Sequence, residues 1–372
     1  MRIGVLGGGQ LGRMLALAGY PLGLDFRFFD PNSGAPVGQI GELVAARYDD
    51  EVALARFLKD VDVVTYEFES IPLAAVEFVA ARVPVYPPVA ALAAAQDRLL
   101  EKQLFQKLRI PVPPFAAVDS RDDLSRAAGE VGFPCVLKTR RLGYDGKGQV
   151  VLREPSAVDG AWAALGGVPL ILESFVTFER EVSAIGARDQ GGNEVHYSVS
   201  ENHHHEGILR RTVAPAPRLA ASLAVLAMEY NRRILKELDY VGVLALELFQ
   251  SGGTLLANEM APRVHNSGHW TIEGSETSQF ENHLRAITGL PLGPTAMKGE
   301  VVMLNVIGMT PPLAECLSVE GAHLHLYGKA PTERRKVGHV TLVADSLEKL
   351  GEREKAISSL LQTNGPTPLS HP

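Results

Sequence analysis

A glycine-rich turn between an apolar run and an amphipathic segment is the feature that most limits how this chain folds. Residues 3–12 read IGVLGGGQLG, which predicts a strand, a turn and the start of a helix. Gly7, Gly9 and Gly12 have the G-x-G-x-x-G spacing, and Asp30 ends the next apolar run about 20 residues later. A helix that starts at such a turn presents backbone N–H groups to an anion. A dinucleotide, another phosphate ligand and a tight structural turn all remain open at this point.

Residues 1–95 alternate strand and helix patterns, which predicts a Rossmann-like parallel sheet. Strands are expected in MRIGVLG, DFRFFD and DVVTYEF, and helices in QLGRMLALAGYPLG, ELVAARYDDEVALARFLK and IPLAAVEFVAA. The run ALAAAQDRLLEKQLFQKLR predicts one long helix that ends at the proline-rich IPVPP. The patterns divide the chain into 1–95, an α+β unit at 96–178, a strand-rich core at 179–297, and a β-rich segment at 298–372.

Composition narrows the classes of protein. Hydrophobic residues make up 46% and charged residues 21% of the chain, which is typical of a folded protein. The formal net charge of −7 argues against a nucleic-acid partner, and no apolar stretch is long enough to span a membrane. The N-terminus enters a strand without a secretory pattern, and Cys135 and Cys316 form no C-x-x-C pair. We therefore expect a cytoplasmic protein that binds neither nucleic acid nor membrane.

A second glycine-rich segment runs from Lys138 to Gln149 as KTRRLGYDGKGQ. A lysine on a strand, followed by a flexible loop with Lys147, is suited to clamp a polyphosphate. The alternative is an exposed hairpin whose charges are solvated.

Two carboxylates lie on consecutive predicted strands in LALELFQSGGTLLANEMAPR. The Gly-Gly turn between the strands lets Glu247 and Glu259 meet across a ladder, with Asn258 beside them. Carboxylate and amide oxygens are the ligands that Mg²⁺ prefers. The alternative is a pair of strand carboxylates balanced by Arg263. In the nearby run His203–His205 adjacent side chains point to opposite faces of a strand, so we do not expect a zinc site there.

Several motifs together resemble the N5-carboxyaminoimidazole ribonucleotide synthetases, a family of ATP-grasp ligases. They occur in the family's order along nearly the whole chain: GGGQLGRM, DVVTYEFE, QDRLLEK, GYDGKGQ, ENHHHEGIL, NEMAPRVHNSGHWT and YGKAPTERRKVGH. The resemblance implies an ATP-grasp fold with an N-terminal pre-ATP-grasp domain, a central lid subdomain and a C-terminal β-rich domain.

The resemblance also implies an ATP site. Arg98 and Lys138 would bind the phosphates, Glu181 the ribose, and Glu247 and Glu259 a Mg²⁺ ion. The remaining ATP-binding residues that it implies are the loop Gly143, Tyr144, Asp145, Gly146, Lys147, Gly148 and Gln149, the adenine hinge Glu173, Ser174, Phe175 and Val176, and the group His204, Asn258 and Glu259.

The implied ribonucleotide site joins the glycine turn to the C-terminal segments. Its residues would be Gly9, Gln10, Leu11, Gly12, Glu67, Arg263, His265, Asn266, Lys329 and Arg335, and the implied catalytic residues are Arg263, His265 and Lys138. Glu67 and Glu69 end a strand where a ligand crevice is expected, although both could be surface carboxylates. The family commonly has Pro-Gly where this chain has Glu333 and Arg334. The choice among Arg334, Arg335 and Lys336 as phosphate ligand is therefore open.

The implied reaction uses ATP and bicarbonate to carboxylate 5-aminoimidazole ribonucleotide, through carboxyphosphate, in purine biosynthesis. Another ATP-grasp ligase, such as a formate-dependent glycinamide ribonucleotide transformylase or a biotin carboxylase, is the alternative, although HNSGHWT and YGKAPTERRKVGH argue against both. A nucleotide-binding regulator and a nicotinamide dehydrogenase are rivals from other classes. The resemblance further implies a homodimer, whereas a transient hand-off of product to the N5-carboxyaminoimidazole ribonucleotide mutase is left open by the sequence.

Overall fold

The strands of this chain form three sheets, seen in a computed structural model that describes residues 1–143 and 147–362. Two sheets have four strands each and the third has nine. The sequence prediction of a mixed α/β fold with a parallel sheet at the N-terminus is confirmed.

The N-terminal sheet is parallel, with strand order β3-β2-β1-β4. Its strands are β1 (Arg2–Leu6), β2 (Asp25–Asp30), β3 (Glu42–Ala45) and β4 (Val63–Tyr66), and its helices are α1 (Gln10–Gly19), α2 (Glu51–Phe57) and α3 (Leu73–Ala80). Short 3₁₀ turns lie at Tyr20–Leu22 and Pro36–Gln39. Strand β4 is buried along its length, as expected for a strand covered on both faces.

Two helix predictions in this region are wrong in part. The segment expected as one helix at ELVAARYDDEVALARFLK begins with β3, and α2 starts only after Asp50, whose side chain accepts a hydrogen bond from the Ala53 N–H. The long helix expected from Ala90 is two helices, α4 (Val89–Ala95) and α5 (Arg98–Lys107). Asp97 separates them because its carboxylate caps the start of α5 by accepting from the Leu99 N–H.

The small sheet is antiparallel, with strand order β5-β8-β6-β7. Its elements are β5 (Phe115–Val118), α6 (Arg121–Val131), β6 (Cys135–Thr139), β7 (Gln149–Leu152), a 3₁₀ turn at Pro155–Ala157, α7 (Val158–Leu165) and β8 (Leu170–Ser174). Apolar side chains of α6 and α7 cover one face of the sheet. The expected β6–β7 hairpin is present and pairs Lys138 with Gln149.

The nine-stranded sheet has the order β14-β13-β9-β11-β12-β15-β17-β16, and β10 pairs with β9. Its strands are β9 (Arg180–Arg188), β10 (Glu194–His196), β11 (Ser200–His205), β12 (Ile208–Ala214), β13 (Gly242–Ser251), β14 (Thr254–Ala261), β15 (Glu300–Ile307), β16 (Ala322–Leu326) and β17 (Lys336–Ala344). Its helical segments are α8 (Ala221–Glu237), a 3₁₀ turn at Asn266–Gly268, α9 (Thr271–Gly274), α10 (Gln279–Thr288), α11 (Leu313–Ser318) and α12 (Leu347–Gln362). Because β12 pairs with β15, this sheet runs without interruption across the domain boundary drawn at 297/298.

A buried imidazole joins the N-terminal sheet to the nine-stranded sheet. His283 on α10 lies with its Nε2 2.8 Å from Thr65 Oγ1 on β4, and its Nδ1 accepts from the Val243 N–H of β13 at 3.1 Å. Burial lowers the pKa of His283 to about 3, so the ring is neutral and acts as a structural hydrogen-bonding group. Across residues 1–143 and 147–362, the helices are too short or too polar to cross a bilayer.

Candidate active site

One cavity of about 790 Å³ collects side chains from all three sheets. The predicted site residues that line it are Gln10, Leu11, Arg98, Lys138, Gly143, Gln149, Glu181, His204, Glu247, Asn258, Glu259, Arg263, His265 and Asn266. Glu69, Glu101 and Lys336 line it as well. Residues that are far apart in the sequence therefore share one chamber.

The carboxylate pair lies at the edge of the nine-stranded sheet. Glu247 on β13 and Glu259 on β14 are direct cross-strand partners, so both side chains project from the same face. The register shifts next to them, and Asn258 is the extra residue of a β-bulge. The sequence prediction that the two carboxylates meet across the ladder is confirmed.

Electrostatics distinguish the two carboxylates. Burial and the charge of Glu259 raise the pKa of Glu247 to about 7. Burial alone would also raise the pKa of Glu259, but Arg98 lowers it overall, with Nη1 3.0 Å from Glu259 Oε2. Like charges held this close favour a cation between them. The two carboxylates with the Asn258 amide oxygen fit Mg²⁺ and leave further positions for phosphate oxygens. Within the described ranges no group of three or more His, Cys, Asp or Glu side chains forms an alternative metal site.

Two cationic side chains face the carboxylates from the other walls. Arg98 also donates to the Gly143 carbonyl at 3.2 Å, at the start of the glycine-rich loop. Lys138 on β6 lies with Nζ 3.1 Å from Glu173 Oε2. The predicted phosphate-binding residues Arg98 and Lys138 therefore reach the same chamber as the carboxylates. Of the predicted loop, Tyr144, Asp145 and Gly146 lie outside the described residues, and Lys147 and Gly148 are not part of the cavity wall.

The structure describes all four residues of the expected adenine hinge, Glu173–Val176. The Ser174 N–H donates to the Pro114 carbonyl and the Phe175 N–H to the Pro134 carbonyl, so these two N–H groups are already paired within the chain. The Glu173 side chain is buried and pairs with Lys102 and Lys138. The hinge stays a prediction.

Glu181 and His204 meet across β9 and β11 at the cavity wall. The His204 Nδ1 is hydrogen-bonded to Glu181 Oε2. Burial alone would lower the pKa of His204, but the bond to Glu181 and the charge of Glu247 raise it. The register shift between His203 and His204 skips Arg210 on β12, and along β11 His204 is half-buried while His203 and His205 are exposed.

The glycine turn holds an anion that belongs to the chain itself. The Gly9 N–H donates to Glu67 Oε1, and the Gly12 N–H donates to Glu67 Oε2 at 2.7 Å. The Gly8 N–H donates to Asp30 Oδ2 at 2.8 Å. The expectation that Gly9 and Gly12 present free N–H groups to a substrate phosphate is therefore wrong in this structure, and Asp30 is a structural cap of the turn. Glu67, expected to contact substrate, is buried against the turn and does not line the cavity.

The other acid of the TYEFE motif faces the cavity. Glu69 forms an ion pair with Arg263, whose Nη2 lies 2.7 Å from Glu69 Oε1, and Arg263 also donates to the Val264 carbonyl. The Glu69 pair therefore fixes the guanidinium at the boundary between the N-terminal sheet and the core.

His265 is a neutral donor at the base of the carboxylate ladder. Its Nδ1 accepts from the Ser267 N–H at 3.3 Å, so the ring proton is assigned to Nε2, which lies 3.4 Å from Glu247 Oε1. Burial and the charge of Arg263 lower the pKa of His265 well below its usual value. Asn266, next in the chain, exchanges two amide hydrogen bonds with Asn305 and is held in one orientation.

The C-terminal basic turn separates into residues with different roles. Lys329 contacts Gln10 at the start of α1. Arg334 pairs with Glu206, and Arg335 is exposed and donates to the Ala330 carbonyl. Lys336, by contrast, lines the cavity. The prediction of Arg335 as the phosphate ligand is not supported by its position.

Sequence reasoning missed two buried charges on α5, Glu101 and Lys102. The available signal was their spacing with Arg98: positions i, i+3 and i+4 share one helical face. A face that carries three charges looks solvated in the sequence, yet here it packs on β14.

Comparisons with known proteins agree with this arrangement. Residues 1–96 match the ribonucleotide synthetase preATP-grasp domain, residues 103–280 the ATP-grasp domain, and residues 301–353 the phosphoribosylaminoimidazole carboxylase C-terminal domain. The predicted ATP-grasp fold with a preceding pre-ATP-grasp domain is confirmed.

Individual relatives cover the whole chain. An N5-carboxyaminoimidazole ribonucleotide synthase of Pseudomonas aeruginosa is 53% identical, and the match covers 97% of this chain and 100% of the relative. The crystal structure of the Thermus thermophilus synthetase has a TM-score of 0.95 at 55% identity and covers 99% of this chain and 100% of its own. A synthase of Aspergillus clavatus in complex with ADP and 5-aminoimidazole ribonucleotide has a TM-score of 0.90 at 29% identity, covering 97% and 98% of the two chains.

Proposed function

This chain belongs to the N5-carboxyaminoimidazole ribonucleotide synthetase family of ATP-grasp ligases, and on that premise we propose how its cavity residues divide the work. The chain is an ATP-dependent carbon–nitrogen ligase that carboxylates 5-aminoimidazole ribonucleotide in purine biosynthesis. The formate-dependent alternative receives no support from the comparisons.

The observation that supports the proposal most strongly is that carboxylates and cationic side chains line the same cavity. Glu247 and Glu259 face Arg98 and Lys138 around a space that also reaches Arg263. ATP phosphates fit between these walls, with Arg98 and Lys138 neutralising charge on the phosphoryl oxygens during transfer. Glu247, Glu259 and Asn258 would hold Mg²⁺, which would supply further neutralisation of the phosphate charge.

Phosphoryl transfer to bicarbonate gives ADP and carboxyphosphate. The exocyclic amine of the ribonucleotide then bonds to the carboxyphosphate carbon as the C–O bond to phosphate breaks, or it bonds to CO₂ after that bond has broken. In either case the nitrogen loses a proton, which the departing phosphate can accept. Arg263, oriented by Glu69, attracts the carboxylate group that is transferred to the ribonucleotide. The His265 Nε2–H donates a hydrogen bond at the same end of the cavity. Both side chains are held before substrate arrives, which lowers the cost of ordering the site.

The ribonucleotide lies between the N-terminal sheet and the basic turn. Gln10 and Leu11 line the cavity at the start of α1, and Lys329 donates a hydrogen bond to the Gln10 side chain. Asn266 and Lys336 line the opposite wall. We assign Lys336, rather than Arg335, as the basic residue of this turn that neutralises the substrate's phosphate.

Three features of the cellular setting belong to the proposal. The free, buried thiols of Cys135 and Cys316 suit a cytoplasmic enzyme. A homodimer rests on the family resemblance and is tested by light scattering of the eluted protein. Transfer of product to the mutase is proposed as well, although the sequence leaves it open.

ATP consumption by the purified chain tests the function. We expect phosphate release that requires both 5-aminoimidazole ribonucleotide and bicarbonate. Release with glycinamide ribonucleotide and formate, but not with the proposed pair, would contradict the assignment.

A further inference from the structure

Lys102 is a buried lysine whose contacts are all with the parts that frame the active site. Its side chain is 1% exposed, and its Nζ donates to the Ala257 carbonyl at 3.1 Å and to the Asn258 carbonyl at 2.6 Å. These carbonyls lie at the β-bulge of β14, where the ladder to β13 is interrupted. A bulge leaves some backbone groups without hydrogen-bond partners in the ladder. Here the Lys102 ammonium is the hydrogen-bond donor to two backbone carbonyls at the bulge.

The neighbouring helix residue reinforces the same strand. Glu101 Oε1 accepts from the Met260 N–H at 2.7 Å, one residue beyond Glu259. Helix α5 therefore holds β14 on both sides of the metal carboxylate, through Lys102 before it and Glu101 after it.

The same ammonium connects to the other wall of the cavity. Lys102 Nζ lies 3.5 Å from Glu173 Oε2, and that oxygen is 3.1 Å from Lys138 Nζ. Glu173 is 3% exposed, so the three charges form a buried chain from β14 to β6. Glu173 remains paired with Lys138 if Lys102 loses its charge, so this buried carboxylate keeps a cationic partner.

We propose that Lys102 is a positioning residue that sets the metal-binding face of β14 and the phosphate-binding Lys138 at a fixed separation. A buried ammonium is costly to desolvate, and an apolar side chain of similar length fills the same space without that cost. The hydrogen bonds at the bulge give the lysine a role that packing alone does not. The inference rests on the proposed metal site at Glu247 and Glu259.

The test compares Lys102→Met with Lys107→Met, a control on the same helix whose side chain is exposed and pairs with Glu237. Free Mn²⁺ is measured by electron paramagnetic resonance as it is titrated into each protein in the presence of ADP. We expect Lys102→Met to bind Mn²⁺ about 10-fold more weakly or worse, in the range seen for residues that orient metal ligands. The KM for 5-aminoimidazole ribonucleotide should stay within about twofold, because the substitution leaves the residues that bind this substrate in place.

The possible results distinguish a failure of this inference from a failure of the proposed metal site. Unchanged Mn²⁺ affinity in a folded Lys102→Met, verified by circular dichroism, overturns the inference alone. Absence of saturable Mn²⁺ binding in the unsubstituted chain overturns the metal site and the inference with it. An equal loss of Mn²⁺ and ribonucleotide affinity indicates general damage and also overturns the positioning role.

A second variant applies if Lys102→Met does not fold. Lys102→Arg keeps the positive charge but replaces a compact ammonium with a wider planar group. We expect it to fold and to weaken Mn²⁺ binding about threefold or more, whereas Mn²⁺ affinity equal to that of the unsubstituted chain would overturn the inference.

Discussion

The glycine turn and the carboxylate ladder both contain glutamate, but the surroundings of the glutamate side chains differ between them. At the turn, both oxygens of Glu67 accept N–H groups from Gly9 and Gly12. At the ladder, Glu247 faces another carboxylate, Glu259, across the strand pair. The first acid has two backbone donors within the chain, whereas at the ladder Glu259 pairs with Arg98 and Glu247 adjoins a second carboxylate. Available donors, rather than residue type, decide whether a buried acid is structural or functional.

The charges around each site follow the same division. Burial raises the pKa of Glu67, and the two backbone N–H groups oppose that shift. At the ladder, by contrast, burial and Glu259 act in the same direction on Glu247. Glu67 therefore has hydrogen-bond donors that oppose the effect of its burial, whereas the neighbour of Glu247 across the ladder is a second carboxylate.

The largest effect is expected at the ladder. Glu259→Ala removes one of the two metal carboxylates and leaves Arg98 without its partner, so turnover should fall by about 10²–10³ or more, as for other lost charge-stabilising groups. Phosphate release measures this. Glu320→Ala, at an exposed ion pair with Arg353, is the control and should retain full activity. Near-normal turnover by Glu259→Ala would contradict the assignment of Glu259 as a metal ligand.

At the turn, the expected loss is in stability. Glu67→Ala leaves the Gly9 and Gly12 N–H groups without acceptors, which should lower the free energy of unfolding by about 3 kcal/mol. Urea denaturation followed by circular dichroism measures this. Glu259→Ala should change the free energy of unfolding by less than about 1 kcal/mol. Equal losses of stability in the two variants would contradict the proposed difference between the turn and the ladder.

A side chain at Gly9 tests whether the turn also shapes the ribonucleotide site. A Cβ there would lie 2.6 Å from Glu67 Oε1, so Gly9→Leu must displace the capping carboxylate. We expect the KM for 5-aminoimidazole ribonucleotide to rise at least about tenfold, or about 1.4 kcal/mol, with that for ATP nearly unchanged. Gly160→Leu on α7, where a Cβ meets open space, is the control. Equal increases in both KM values would mean that the turn does not serve the ribonucleotide.

The smallest expected effect is on pH dependence at the ladder. Divalent cations bind the ionised carboxylate, and the pKa of Glu247 is raised to about 7. Affinity should therefore be full above that pH and fall as pH decreases through it, by about tenfold between pH 8 and 6. Calorimetric titration of Mg²⁺ with ADP at several pH values measures the change. Glu247→Gln should flatten the profile, and a profile that is already flat in the unsubstituted chain would contradict the shift.

Much of the fold could be predicted because local patterns matched the elements formed. The strand predictions at DFRFFD and DVVTYEF are confirmed. The long helix from Ala90 was not interrupted in the prediction, because Asp97 is one polar residue among helix formers in the sequence. Its capping role depends on Arg140, which holds its carboxylate from the small sheet.

The site was predictable where neighbours in sequence are neighbours in space. The Glu247–Glu259 pair follows from a hairpin with a short turn, and the structure confirms it. The partner of the glycine turn could not be predicted from the sequence, because Glu67 reaches the turn from the end of a parallel strand more than fifty residues away. A glycine pattern indicates that an anion is held there, but it does not indicate whose anion it is.

Mn²⁺ binding to Glu67→Gln and Glu259→Gln, measured side by side by water proton relaxation, tests the central contrast most directly. We expect Glu67→Gln to bind the ion as the unsubstituted chain does, whereas Glu259→Gln should bind it at least about tenfold more weakly. Weaker binding in Glu67→Gln with normal binding in Glu259→Gln would contradict this expectation.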